Sequence, residues 1–176
     1  MRKIFFRSAV VLFALSFPFL SGCGYTQKTV LPTDIKTVYV ETVKNTIPID
    51  QIFAYHPGLE MSITKAIIRR LNKDGNVRVV NREDADAILQ TNMVRFDQGG
   101  LRFTSLESVE AYRLTITVDM RLVNAKNEQI IWQETGFTGE TEYFVSDVRS
   151  LSRDEAAQRV IDRLARNIVD RIVEDW

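Results

Sequence analysis

The chain has 176 residues, and its 23 basic and 23 acidic side chains cancel to a formal net charge of zero at pH 7. This balance gives no overall electrostatic attraction to nucleic acid, so any anion site must come from a local cluster of arginine and lysine side chains. A single histidine and a single cysteine exclude a disulfide within the chain and a metal site built from several of these side chains.

The first 22 residues have the layout of a cleavable export signal. A basic head precedes an apolar run from Ala9 to Leu20, which is too short to cross a membrane comfortably. The run closes on Leu20-Ser21-Gly22-Cys23, the form of a bacterial lipobox, in which the cysteine thiol is acylated and the chain is cut before it. We therefore predict a lipoprotein signal peptide over residues 1–22 and a lipid such as palmitate on Cys23. The alternative is an ordinary signal peptide with a chance cysteine.

Residues 23–34 are then the lipidated cysteine and a short polar tether. The 11 residues after Cys23, extended, span at most about 35 Å, which keeps residues 35–176, a single domain, close to the membrane. Loss of the signal removes three basic residues and leaves a formal charge of −3. Gly24 follows the cysteine, whereas an Asp there commonly signals retention in the inner membrane of Gram-negative bacteria. We expect a lipid-anchored protein of the outer membrane.

The domain begins with a strand, a helix and a second strand. Residues Ile35 to Val43 are apolar on both faces, which predicts an interior strand. Helical spacing runs from Leu59 to Lys73, and Val77 to Val80 is a short strand, so the crossover predicts a parallel neighbour. The apolar loop between Asn45 and Gly58 either folds over the end of the core or contacts a partner.

Antiparallel strands follow. Ala87 to Phe96 is a strand of mixed pattern that we expect to end at Gly99-Gly100. From Tyr112 to Val123, apolar and polar residues alternate strictly, which predicts one buried and one solvated face. A turn at Lys126-Asn127-Glu128 leads to a hairpin partner over Gln129 to Phe137. Two glycines mark a bulge or bend there: Gly136 and Gly139.

The last helix begins at Ser152, with Glu155 completing a capping box. Its apolar pairs recur every four residues, which predicts a broad stripe against the core. The residues expected on the sheet are Ala157, Ile161, Leu164, Ile168 and Ile172, with Val169, Val173 and Trp176 to one side. The element order predicts an α+β fold, a two-layer sandwich in which two helices cover one face of a mixed four- to five-stranded sheet.

Few groups are available for catalysis. His56 beside Pro57 is typical of a helix entry, and the carboxylates Glu83, Asp84 and Asp86 are typical of a solvated turn. The glycine pairs lack the strand-to-helix context of a phosphate loop. The sequence argues against an enzyme and predicts no cofactor and no metal.

Arginines provide the candidate binding residues. Arg113 and Arg121 point outward on the alternating strand, Arg95 lies on its expected neighbour, and Arg102 follows the expected glycine turn. Guanidinium groups bind phosphate through two parallel hydrogen bonds, so a phosphorylated ligand is one interpretation of this face. The other is a soluble surface whose charges are balanced by neighbouring acids.

Several stretches resemble the LptE family of outer-membrane lipoproteins. They are Gly22-Cys23-Gly24-Tyr25, Leu31-Pro32, IKTVYVETVKN from Ile35, LEMSITKAIIRRL from Leu59, Ala85 to Leu89, YRLTITVDMRLVN from Tyr112 and IIWQETGFTGETEY from Ile130. The resemblance covers nearly the whole mature chain and implies a protein that plugs the lumen of the LptD β-barrel. That pair delivers lipopolysaccharide to the outer leaflet, and the lipoprotein assists barrel assembly.

A rival class is an outer-membrane-anchored periplasmic regulator of a cell-wall synthase. Such a protein needs a long tether to reach its target, and the 11-residue tether argues against it. The resemblance leaves open which surface meets the barrel and which residues meet lipopolysaccharide. The candidate contacts remain Arg95, Arg102, Arg113 and Arg121.

Overall fold

The computed structural model describes residues 35–48, 57–106, 108–145 and 152–173. The expected signal peptide, Cys23, the tether, His56 and Trp176 lie outside these residues, as does most of the apolar loop. The elements in chain order are β1 (Thr37–Val40), β2 (Lys44–Asn45), α1 (Leu59–Asp74), β3 (Arg78–Val79), β4 (Ala87–Phe103), β5 (Val109–Asn124), β6 (Ile130–Phe144) and α2 (Arg153–Val173), with a short 3-10 turn at Arg82–Asp84.

One mixed sheet runs through the domain in the order β3-β1-β4-β5-β6, and β2 pairs with β4 beside β1. β1 is interior, as its two apolar faces predicted. It pairs in parallel with β3 and with β4, so α1 makes the predicted crossover between parallel neighbours. The observed strand β1 is shorter than the predicted one, because the chain leaves the sheet after Val40 and pairs again only as β2. The predicted fold class is confirmed, with six strands when β2 is counted.

β4 continues through Gly99-Gly100, where we expected it to end. Gly99 lies opposite Arg113 and Gly100 opposite Tyr112, so the pairing with β5 continues to Phe103. The turn comes later, where the N–H of Thr104 donates to the carbonyl of Ser108. A long partner strand outweighs the weak strand preference of two glycines, since every paired residue adds to the ladder. Arg102 therefore lies within β4 and not after a turn.

The two ends of α1 and the start of α2 follow their sequence signals. α1 lies between Gly58 and Gly75, which have φ of 98° and 82°, and the Gly75 N–H donates to the Leu71 carbonyl. In α2, the Glu155 carboxylate accepts the Ser152 N–H at 2.8 Å, and the Glu155 N–H donates to the Ser152 hydroxyl at 3.2 Å. This is the predicted capping box.

The core lies between the helices and one face of the sheet. On β5 the alternating set that the sequence indicated is buried: Leu114, Ile116, Val118, Met120 and Leu122. Near the ends of the strand, Ala111 and Val123 are buried too, on the opposite face. The broad stripe on α2 is also confirmed, with two corrections. Ala156 is buried while Ala157 is only half-buried, and Val169 is fully buried in the core. The drift of the stripe explains both, because a wide stripe takes in residues beside its centre.

Ion pairs and close packing are among the contacts that hold α2 against its neighbours. Salt bridges join it to α1, from Arg69 to Asp162 at 3.5 Å and from Arg70 to Asp170 at 3.1 Å. Its backbone also approaches β6 at Gly139, where a side chain would overlap Leu164. The glycine predicted to mark a bend instead allows a helix to lie directly on the strand.

Candidate ligand-binding face

The face of the sheet opposite the helices, here called the open face, carries the polar residues of β5. Arg113 and Arg121 are exposed on it, and the residues between them are half-buried: Thr115, Thr117 and Asp119. Strict alternation along β5 places this set opposite the buried one. The sequence predicted this separation of faces correctly.

Register with β4 adds Arg95 to the open face. Arg95 lies opposite Thr117, and Asp97 lies opposite Thr115. A register shift between Met93 and Arg95 leaves Val94 as an extra residue, so that Arg95, Asp97 and Gly99 turn to the open face. Three of the four candidate arginines therefore share one face of two neighbouring strands.

Arg113 is held between two carboxylates of β6. Its Nη2 donates to Glu142 at 3.0 Å, and its Nε lies 3.9 Å from Glu140. The hydrogen bond to Glu142, together with the charge of Glu140, raises the pKa of Arg113 above its ordinary value. An anionic ligand at Arg113 must therefore displace or share with these carboxylates.

Arg95 is paired much more weakly. Its Nε lies 3.7 Å from Asp97, and more than half of each side chain is exposed. Exposed pairs of this kind contribute about 0–1 kcal/mol, because solvent screens them and two long side chains lose freedom. Arg95 can exchange this carboxylate for a ligand at little cost.

Arg121 lies beside a polar groove. Its Nε donates to the Gln90 side chain at 2.6 Å, and it forms no ion pair with a carboxylate of the described residues. The groove has a volume of about 160 Å³ and is also lined by Asn92, Asp119 and Gln133. The amides on β4 and β6 were missed by the sequence analysis, since only the strand register shows that they converge on Arg121.

A β-bulge shapes this groove. Between Met120 and Val118 the pairing with β6 shifts, and Gly136 has a φ of 69°. The Gly136 N–H donates to the Asp119 carboxylate at 2.8 Å. The predicted bulge at Gly136 is confirmed, and its N–H binds an acid that lines the same groove as Arg121.

Arg102 is the outermost candidate. Its guanidinium carbon lies 5.4 Å from the centre of the Phe144 ring, a cation–π contact at the far end of β4. No ion pair with a described carboxylate is formed by this side chain. A second register shift, between Gly100 and Arg102, places Arg102 opposite Ala111 and so on the open face. The four arginines therefore lie along one face, and their role as ligand contacts stays a prediction.

Asp86, in the acidic run assigned to a solvated turn, has a structural role. Its Oδ2 accepts the N–H groups of Lys36 and Thr37, each at 3.0 Å, and the Thr37 hydroxyl at 2.8 Å. These hydrogen bonds, the one from Lys36 first, lower the pKa of the Asp86 carboxyl. This carboxylate therefore fixes the start of β1.

A family model for LptE, described as lipopolysaccharide-assembly, matches residues 35–176 of the chain. This protein belongs to the LptE family. The match covers both helices and every described strand. It agrees with the resemblance found in the sequence motifs.

Solved structures share the fold. A protein from Xanthomonas campestris is 13% identical with a TM-score of 0.56, covering 82% of this chain and 90% of that one. A hypothetical protein from Chlamydia trachomatis is 14% identical with a TM-score of 0.52, covering 78% of this chain and 95% of that one. A PelC dodecamer from Paraburkholderia phytofirmans has a TM-score of 0.49 at 14% identity, covering 86% and 96%, too low to support an argument.

No curated protein matches the chain. Neither helix among the described residues is long and apolar enough to cross a membrane.

Proposed function

We propose that this LptE-family protein is an outer-membrane lipoprotein, anchored through Cys23, that plugs the lumen of an LptD-type β-barrel. It assists the transport and assembly of lipopolysaccharide and carries out no catalysis. The observation that carries the proposal is the family match across the whole domain. The lipobox and the short tether predicted from the sequence support the lipid anchor.

The open face suits a barrel lumen. The interior of a large membrane barrel is polar, so a plug needs a surface that stays hydrated while it contacts charged side chains. Charges of both signs alternate on this face with threonines, and ion pairs such as Arg113–Glu142 keep it near neutrality. A polar, charge-balanced surface of this kind also explains how the domain remains soluble before it meets a barrel.

Lipopolysaccharide is the ligand that the arginines fit. Its phosphates match the two parallel donors of a guanidinium group. Arg121 and Arg102 offer such donors without a carboxylate that the ligand must displace. At Arg95 the ligand displaces only the weakly paired carboxylate of Asp97. We therefore place the phosphates along the line of these three side chains. Arg113 lies beside them and is held in place by Glu140 and Glu142.

The partner is tested by pull-down. The tagged full-length lipoprotein is isolated from detergent-solubilised outer membrane, and the co-purifying proteins are sized and identified. A large β-barrel in about equal amount supports the proposal. Recovery of a cell-wall synthase without a barrel contradicts it and favours the rival regulator.

The anchor has its own test, in which Cys23→Ala is compared with the wild type. Labelling with a fatty-acid probe should disappear in the variant, since its sequence retains no other thiol. Equal labelling of the two proteins would mean that Cys23 is not the acylated residue.

The ligand face is tested by changing Arg95, Arg102 and Arg121 to Glu together. Exposed substitutions rarely unfold a protein, so circular dichroism should be unchanged. Binding of lipopolysaccharide should weaken by about 1 kcal/mol or more for each lost charge-assisted contact. A matched control reverses three exposed charges on the helices: Lys65, Arg159 and Arg166. If both triple variants bind alike, the open face is only a solvated surface.

A further inference from the structure

The groove beside Arg121 is built from two rows of polar residues that cross the sheet. In the first row, Arg121 lies between Gln90 of β4 and Gln133 of β6. In the second row, Asp119 lies opposite Asn92. Residues opposite one another have Cβ atoms about 5 Å apart, and the two rows are about 7 Å apart along the strands. Five polar side chains therefore meet around a groove of the size of one small ligand group.

Two hydrogen bonds hold the charged members of this groove in place. The Arg121 Nε donates to the Gln90 Oε1 at 2.6 Å, and the terminal nitrogens of the guanidinium group bind no other described residue. The Asp119 Oδ1 accepts the Gly136 N–H at 2.8 Å, which leaves Oδ2 as an acceptor. Each charged side chain is thus oriented by one atom and can bind a ligand through another.

The amides add hydrogen-bonding groups of both kinds. A side-chain amide donates through its nitrogen and accepts through its oxygen. Within the described part of the chain, the amides of Asn92 and Gln133 have no hydrogen-bonding partner, and Thr135 adds a hydroxyl to the lining. Asn92 is half-buried and Gln133 is exposed, so the first lies deeper in the groove than the second. The groove offers acceptors as well as donors.

The charges of the groove fit a bare phosphate poorly. Arg121 attracts an anion, but Asp119 lies two residues before it on the same face and repels one. Glu134 also borders the groove, although its carboxylate is bound by Arg171 of α2 at 2.6 Å. A carboxylate beside the guanidinium group fits a ligand whose phosphate is accompanied by hydrogen-bond donors.

We propose that this groove binds a sugar that carries a phosphate ester. Arg121 binds the phosphate, while Asp119 and the amides of Asn92 and Gln133 bind hydroxyl groups of the sugar. A hydroxyl group both donates and accepts, so neighbouring hydroxyls on a ring match a carboxylate beside an amide. This inference rests on the proposed function, whose ligand is a glycolipid, and adds that the protein recognises the sugar as well as the charge.

A phospholipid head group without a sugar fits the groove less well. Phosphatidic acid presents its phosphate on an acylated glycerol and has no ring of hydroxyl groups. Arg121 would bind this phosphate, but Asp119 would repel it and the two amides would stay solvated. Comparison of the two kinds of lipid therefore isolates the contacts to the sugar.

The test uses two lipids with one phosphate each. Monophosphorylated lipid A, the acylated sugar part of lipopolysaccharide, carries its phosphate on a disaccharide, and phosphatidic acid is the second lipid. Each is bound in the same detergent micelles to the full-length lipoprotein, as wild type and with Asn92→Ala and Gln133→Ala combined. We expect the double variant to bind lipid A at least about tenfold more weakly, because two hydrogen bonds are lost, and phosphatidic acid within about twofold of the wild type.

Two further variants separate the sugar contacts from the charge. Arg121→Ala should weaken the binding of both lipids, since both carry the phosphate. A matched control removes two exposed amides outside the groove, with Gln129→Ala and Gln158→Ala combined, and should change neither affinity. Equal losses for the two lipids in the groove variant overturn the inference, and so does an unchanged affinity for lipid A.

Folding of the groove variant is checked by circular dichroism. Should the double variant not fold, Gln133→Ala alone decides, because an exposed side chain on the surface of a sheet is rarely needed for folding. We expect this single change to weaken binding of lipid A about threefold and to leave phosphatidic acid unaffected. An equal effect on the two lipids overturns the inference.

The two proposals fail in distinguishable ways. If no barrel co-purifies with the lipoprotein and the wild type binds neither lipid, the proposed function is wrong and the groove has no ligand. If the barrel co-purifies but loss of the amides does not weaken binding of lipid A selectively, the sugar contacts alone are wrong.

Discussion

Gly139 offers the sharpest test of how α2 packs on the sheet. A methyl group at this position would lie 2.7 Å from Cβ, 2.9 Å from Cα and 3.0 Å from the backbone nitrogen of Leu164. Two of these three atoms belong to the backbone of a helix, which cannot rotate away as the end of a flexible side chain can. Gly139→Ala must therefore move α2 away from β6.

The cost follows from the packing that α2 maintains. Leu164 is fully buried, and so are Ile161 and Ile168 to within a few per cent, so a shift of the helix loosens contacts along the core. Forcing an extra methylene-sized group into a packed core costs about 1–3 kcal/mol. We expect Gly139→Ala to lower the free energy of unfolding by about that amount.

A matched control is available in the same sheet. At Gly99 a methyl group would meet nothing within 4 Å, and the backbone there is ordinary strand, so Gly99→Ala should change stability by less than about 0.5 kcal/mol. Urea unfolding of the chain from Gly24 onwards, followed by circular dichroism, measures both variants. Equal losses would show that α2 does not rest on the backbone of β6 at Gly139.

The other stability predictions use the same urea assay. Ile116→Ala should cost about 2–4 kcal/mol because its fully buried side chain leaves a cavity, while Thr117→Ala on the open face should cost under about 1 kcal/mol; equal losses would mean that the faces of β5 are reversed. Asp86→Ala should cost about 1–2 kcal/mol at pH 7, a figure kept low because the carboxylate is half-exposed. Since folding lowers the pKa of Asp86 from its ordinary 3.8, its contribution is present above that pH and lost as the pH falls through the folded pKa, so the difference between wild type and variant should persist down to pH 3.8 and shrink only below it. Ser152→Ala should cost about 1 kcal/mol through the loss of the cap, and no change would show that α2 does not need it.

Local signals predicted most of the fold. The alternation in β5 gave its buried face because a strand places successive residues on opposite sides, whatever its partners are. The capping box at Ser152 was equally local, since both of its hydrogen bonds lie within four residues. The end of β4 was predicted wrongly for the same reason: Gly99-Gly100 is a local turn signal, and the pairing with β5 that overrides it is not local.

In the candidate site, too, local features could be predicted from the sequence and features that depend on strand pairing could not. That the arginines of β5 point outward could be predicted from alternation alone. That Glu140 and Glu142 lie beside Arg113 could not, because the register between β5 and β6 depends on the bulge at Gly136. The amides beside Arg121 could not be predicted either, because they come from the two strands that flank β5.

These neighbours set an order among the four arginines. A phosphate at Arg113 competes with two carboxylates, one of them at 3.0 Å, so part of its gain is spent on breaking an existing pair. At Arg121 the displaced group is a neutral amide, and at Arg102 the partner is an aromatic ring that can stay in place while the guanidinium binds an anion. The net gain from an anionic ligand should therefore be larger at Arg121 and Arg102 than at Arg113. The arginine that two carboxylates hold in the free protein is, on this reasoning, the weakest contributor to ligand binding.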